Sequence, residues 1–97
     1  MIDRKPAKVF PPGDFIKEEM EERGWTQQDL AEILNKPLPT VNKILNGKKA
    51  IVPETAKRLA AAFGTSAQLW MNLETSFRLT AVPETSEVQG VRSRAKL

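Results

Sequence analysis

Apolar side chains recur at helical spacing through the middle of the chain. Leu30, Ala31 and Leu34 fall at i, i+1 and i+4, and Val41, Ile44 and Leu45 at i, i+3 and i+4, so each stretch carries one apolar face. Two short amphipathic helices with such faces must bury them against a common core. Thr26 stands where an N-cap hydroxyl accepts a hydrogen bond from the Gln28 or Asp29 amide, and Asp29 places a carboxylate near the positive end of the first helix. Asn35 lies at the corner, where a residue tolerant of the left-handed conformation is needed, and Lys36-Pro37 forces an extended step before the second helix. Ala31 is small where the two helices have to cross closely. A helix-turn-helix makes that demand, and so does any tight helical hairpin.

The same punctuation divides the rest of the chain. Residues 1–12 contain three prolines and scattered charge and read as an irregular arm that Val9 and Phe10 pin to the core. A first helix is expected from about Asp14 to Arg23, burying Phe15, Ile16 and Met20, with Gly24 as its stop and Trp25 packed under the corner. Asn46-Gly47 ends the helix that carries Val41. Pro53 opens the next, whose face is Ala56, Leu59, Ala60 and Phe63 and whose end is Gly64. Thr65-Ser66 caps a fifth helix bearing Leu69, Trp70, Leu73 and Phe77 and running to about Thr80. Five helices within residues 13–80 therefore predict one small all-α domain. Residues 81–97 have few large apolar side chains and no sustained period, which reads as a flexible end, a linker, or a segment ordered only by a partner.

Charge changes this picture more than composition does. The net charge of +3 conceals a polarised chain: residues 13–34 carry seven acids against two bases, whereas residues 35–58 carry six bases against Glu54 alone. Those bases are Lys36, Lys43, Lys48, Lys49, Lys57 and Arg58, and they gather on the second helix of the pair and its exit. Phosphate contacts that release counterions would need a patch there. The plain alternative is a solvated lysine face.

The remaining composition narrows the function. With 97 residues and 40% hydrophobic content the core is too small for a large buried active site. There is no cysteine and no histidine, which removes thiol nucleophiles, disulfides, imidazole bases and nearly every common zinc site, and no cofactor is expected. Glu18, Glu19, Glu21 and Glu22 offer carboxylates, but consecutive glutamates on a short helix make a solvated or partner-facing surface. The expectation is a non-enzymatic protein. No apolar run is long enough to span a membrane, and MIDRKPAKVF lacks the apolar core of a secretory signal, which points to the cytoplasm.

Residues 12–79 resemble the HigA-type antitoxins of the Xre, phage-repressor-like helix-turn-helix superfamily. The resemblance rests on PGDFIKEEM, then TQQDLAEIL and TVNKILNGKKAIVPETAKRLAAAFGTS, and finally LWMNLETSFRL. The passage NGKKAIVPETAKRLAAAFGTSAQLWMNL carries most of the specificity, because generic repressor-like domains share the helix-turn-helix but rarely this stretch. The resemblance implies a five-helix domain, dimeric through its C-terminal helical region, that represses its own operon and binds a RelE-like ribonuclease toxin.

Candidate contacts follow from how such a motif docks. The N-terminal residues of the second helix meet base edges, while the first helix and the following loop hold phosphates. Thr40, Asn42 and Lys43 are then the base-facing candidates: Asn pairs with adenine, Lys reaches guanine acceptors, and the Thr methyl meets a thymine methyl. Gln27 is similar to the superfamily's phosphate clamp, with Lys36, Asn46, Lys48 and Lys49 as further backbone contacts. The chain departs from its relatives at Pro37-Leu38-Pro39, where they usually have a Ser cap and polar residues. Two amide donors are lost there, and Leu38 is either a contact for thymine methyls or the mark of a decayed DNA affinity.

Two protein partners are expected as well. Leu69, Trp70, Leu73 and Phe77, with Met71 alongside, give helix five more apolar breadth than so small a core needs. This predicts a homodimer whose paired recognition helices read a pseudo-palindromic double-stranded operator, unless Trp70 is simply core. The acidic residues Glu18, Glu19 and Glu22 complement the basic surface expected of an RNA-handling toxin. A protein-interaction module with weak or lost DNA binding is the competing function. The ending VRSRAKL also resembles the start of a connecting region in longer proteins, of which this would be the N-terminal domain.

Overall fold

The computed structural model describes residues 10–96, which form six helices and no strand. They are α1 (Pro12–Arg23), α2 (Gln27–Leu34), α3 (Leu38–Leu45), α4 (Pro53–Phe63), α5 (Ala67–Ala81) and α6 (Ser86–Arg94). None is long and apolar enough to cross a membrane.

Local chemistry accounts for most boundaries. The Thr26 hydroxyl accepts from the Asp29 amide at 3.0 Å while the Asp29 carboxylate accepts from the Thr26 amide at 2.9 Å, a reciprocal capping box that fixes the start of α2. Asn35 closes α2 in the left-handed region at φ 55°, and it is the one non-glycine residue with positive φ among those described. The Ser66 hydroxyl caps α5 by accepting from Leu69 at 3.1 Å. Its neighbour Thr65 instead accepts the indole N–H of Trp70 at 2.7 Å. Helix α1 begins at Pro12, two residues ahead of the expected start, because proline at the first helical position forfeits only an amide that has no partner there.

One core joins the first five helices. Ile16 and Met20 from α1, Leu30, Ala31 and Leu34 from α2, Val41, Ile44 and Leu45 from α3, Ala56, Leu59 and Phe63 from α4, and Trp70 from α5 are all buried together with Ile51. Phe15, Trp25, Ala60 and Leu73 pack against that cluster from its edges. Trp25 stacks on Phe63 at 5.6 Å between ring centroids, with the Arg23 guanidinium 5.5 Å from the Trp25 ring. The helix-turn-helix is pressed close to α1: a Cβ built on Gly13 would lie 2.1 Å from the backbone oxygen of Leu45, so only glycine allows α1 to meet the end of α3.

Three expectations are corrected. The segment expected to lack sustained structure forms α6, making six helices rather than five. Thr85 caps α6 through Val88, Glu87 lies in its first turn, and Arg92 and Arg94 lie in its last. Trp70 is 1% exposed and bonded to Thr65, so it belongs to this chain's own core and cannot face a partner. Of the pair expected to pin the arm, Val9 falls outside the described residues and Phe10 is exposed rather than inserted.

Candidate nucleic-acid interface

Helix α3 buries one face and presents the other. Val41, Ile44 and Leu45 point into the core, and Leu38, Pro39, Asn42, Lys43 and Asn46 are exposed on the opposite side, with Thr40 half-buried between them. The exposed face borders a shallow groove of about 460 Å³ lined by Leu38, Pro39, Asn42, Lys43, Asn46 and Lys48. Thus the base-facing candidates Asn42 and Lys43 and the expected phosphate contacts Asn46 and Lys48 come together along one surface. Thr40 lies at its edge.

The C-terminal exit of α3 is built to concentrate lysines. The Lys43 carbonyl accepts from the Lys48 amide at 2.8 Å and from the Lys49 amide at 3.2 Å, so the chain folds back and brings three exposed lysines around the helix end. The loop is held from behind by α5. Buried Glu74 accepts from the Ile51 amide at 3.1 Å, pairs with Arg78, and leaves the Arg78 guanidinium to donate to the Gly47 carbonyl at 3.2 Å. Sequence reasoning missed Glu74 and Arg78. Their only sequence signal, a Glu four residues before an Arg on one helix, ordinarily marks an exposed pair.

The corner that leads into α3 is held by another route, and the first turn beyond it, Leu38, Pro39 and Thr40, carries no charge. Arg58 on α4 donates to the Leu34 carbonyl at 2.6 Å and to the Asn35 carbonyl at 3.2 Å, capping the end of α2 across the turn. Glu54 orients that guanidinium and also pairs with Lys36 at 3.6 Å. The hydrogen bond from Arg58 holds the Glu54 carboxyl below its ordinary value, with burial opposing and the charges of Arg58 and Lys36 reinforcing it. Two of the six bases that polarise the sequence are thereby engaged on α4. The Lys36 ammonium, expected on phosphate, lies on Glu54.

The polar side chains around the turn and the exposed face are themselves organised. Asn46 donates through its side-chain amide to the Asn42 side-chain oxygen at 2.8 Å, which orients Asn42 and occupies part of its acceptor capacity. Gln28, one residue beyond exposed Gln27, donates to Glu32 at 3.2 Å. Glu32 lies beside the turn as an acid, lining with Lys36 a hollow on the side of Leu38 away from Lys43 and Lys48.

A half-buried pair of short helices joined by an αL corner, the second with an outward polar face and a basic exit, defines a helix-turn-helix protein. The helix-turn-helix family profile matches residues 16–70. The chain belongs to that family, in its Xre-like branch of DNA-binding transcription regulators. It is 32% identical over 88 residues to YddM of Escherichia coli strain K12, an uncharacterised helix-turn-helix transcriptional regulator, covering 91% of this chain and 94% of YddM. It is 35% identical over 72 residues to antitoxin HigA-1 of Vibrio cholerae, covering 73% of this chain and 65% of that protein. Among solved structures, Pseudomonas aeruginosa antitoxin HigA with the higBA promoter is similar at a TM-score of 0.72 and 35% identity, covering 76% of this chain and 82% of the other.

Proposed function

We propose that this chain is the DNA-binding antitoxin of a type II toxin–antitoxin module, repressing its own operon as a homodimer and neutralising a RelE-like ribonuclease toxin. The observation that carries the reading is the exposed, lysine-bearing exit of α3, set on a frame like that of an antitoxin solved with promoter DNA. Asn42 and Lys43, with Thr40 at the edge, face base edges. Gln27, Asn46, Lys48 and Lys49 hold phosphates, and Lys36 joins them only by leaving Glu54.

Self-association uses the outer stripe of α5, where Leu69 is exposed and Leu73 and Phe77 are half-buried at four-residue spacing above buried Trp70. The toxin meets the acidic side of α1, where Glu18 and Glu22 are exposed and Glu19 is held by Arg23 at 2.6 Å.

The test is binding of the chain to duplex DNA from upstream of its own reading frame, measured across a salt series. Each phosphate neutralised contributes about −0.9 to the slope of log affinity against log salt, so Lys48→Ala with Lys49→Ala, which removes two phosphate contacts from each protomer of the dimer, flattens the slope by about 3.6. Affinity that is flat with salt and indifferent to that double substitution sinks the repressor reading and favours a protein-interaction module.

A further inference from the structure

The first turn of α3 presents carbon where a DNA reader ordinarily presents donors. Pro37 and Pro39 have no N–H, and the Pro37 carbonyl takes the amides of Thr40 at 3.0 Å and Val41 at 3.1 Å. Pro37, Leu38 and Pro39 are all exposed, and Leu38 stands 37% accessible between them. It lines two hollows at once. On one side is the lysine-bordered groove of about 460 Å³, and on the other a hollow of about 410 Å³ beside Gln28, Glu32 and Asn35. Leu38 is therefore the ridge between them, the foremost apolar side chain on the face that α3 turns outward.

Three properties make this ridge a reader. Flanking prolines fix the backbone on both sides, so little conformational freedom is lost when Leu38 is buried by a partner. Lys43 and Lys48 border the same groove, which supplies the positive potential that draws a nucleic acid onto it. Among the four bases only thymine displays a methyl group in the major groove, and an aliphatic side chain distinguishes it by burying that methyl. Asn42, whose oxygen is already shared with Asn46, is less free to supply discrimination by hydrogen bonding.

We propose that Leu38 is a specificity-determining residue that reads thymine C5-methyl groups in each operator half-site, so that recognition at the first turn of α3 is methyl-dependent. The proposal rests on the DNA-binding reading above. Burying one methyl is worth about fourfold in affinity, or about fifteenfold for a duplex in which two copies of Leu38 each cover one.

The test uses the full chain and the duplex from upstream of its own reading frame, made once with thymine and once with deoxyuridine throughout. The exchange removes the methyls and keeps every phosphate and every pairing edge. The preference of wild type for the thymine duplex exceeds that of Leu38→Ala by the stated factor, and the variant, at an exposed position and with an unchanged melting temperature, keeps its salt dependence. Effects of the exchange on DNA shape are common to both proteins and cancel in the ratio of ratios. An equal thymine preference in wild type and Leu38→Ala, with binding intact, overturns the role of Leu38 alone. Failure of wild type to bind either duplex in a salt-dependent way overturns the DNA-binding reading and this one together.

Discussion

The two ends of α3 are anchored by different neighbours and present opposite chemistry. Its C-terminal exit is seated on α1 through Gly13 and tied to α5 through Glu74 and Arg78, and it carries Lys43, Lys48 and Lys49. Its first turn carries Pro37, Leu38 and Pro39, and the corner that leads into it, Leu34 to Lys36, is tied to α4 through Arg58 and Glu54. Charge at one end is suited to affinity for any phosphate backbone, and carbon at the other to discrimination among bases. Under the proposed function, this eight-residue helix would keep the two tasks apart, its exit held by α1 and α5 and the corner leading into it held by α4.

The seat beneath the exit is the place to break this comparison most severely. In Gly13→Ala the new methyl meets the Leu45 carbonyl at 2.1 Å, and backbone cannot yield as the tip of a side chain can, so α1 and α3 must part. The expected cost is about 3 kcal/mol, a large fraction of the total stability of a domain this size. Thermal unfolding should show a fall in melting temperature on the order of 15 °C. An unchanged melting temperature would mean that the two helices do not meet as described.

A smaller and more local effect is expected from Glu74→Ala. The substitution strips the Ile51 amide of its acceptor and Arg78 of its partner, at a cost of about 2 kcal/mol. The consequence should concentrate in the loop: faster hydrogen exchange at Ile51, and weaker DNA binding with all lysines still present. Glu74→Gln keeps an acceptor for Ile51 but not the charge facing Arg78, so it should fall between wild type and alanine. Exchange at Ile51 as slow in Glu74→Ala as in wild type would remove α5 from the positioning of the exit.

These two ends also differ in how far they could be read from the chain. The frame of the helix-turn-helix is legible because its causes are local: apolar faces at helical spacing, an Asn at the corner, and a Thr and an Asp three residues apart that close into a capping box at the start of α2. The lysine cluster was legible as a charge run. What holds the frame was not, since Arg58 reaches carbonyls 24 and 23 residues away, Glu74 an amide 23 residues away, and Arg78 a carbonyl 31 residues away. Glu54 with Arg58, and Glu74 with Arg78, have the i, i+4 spacing that ordinarily marks a surface pair, which says nothing of these distant carbonyls and amides. The apolar breadth of α5 leaves open whether Trp70 faces a partner or the core, because helical spacing does not say where the bulkiest side chain fits; its burial against Phe63 and Thr65 decides for the core. Helix α6 is hard to see for the converse reason: it has no apolar period and buries no residue, so its only marks in the sequence are the cap at Thr85 and the acid at Glu87.

The smallest expected effect sharpens the comparison at the first turn. Glu54 is the acid that orients Arg58 and engages Lys36, and its carboxyl is held below 4.5, chiefly by the hydrogen bond from Arg58. A carboxylate whose folded value lies below its unfolded value stabilises the fold while pH stays above the unfolded value, and that contribution disappears as pH falls through the folded one. Glu54→Gln has no such contribution to lose. The two proteins should therefore differ in stability near neutral pH and converge as pH drops below 4.5, with salt narrowing the neutral difference because the pair is exposed. Urea unfolding at a series of pH values measures the gap directly. A gap that persists unchanged into acid would mean that shape or packing at position 54, rather than the charge, steadies the corner that leads into α3.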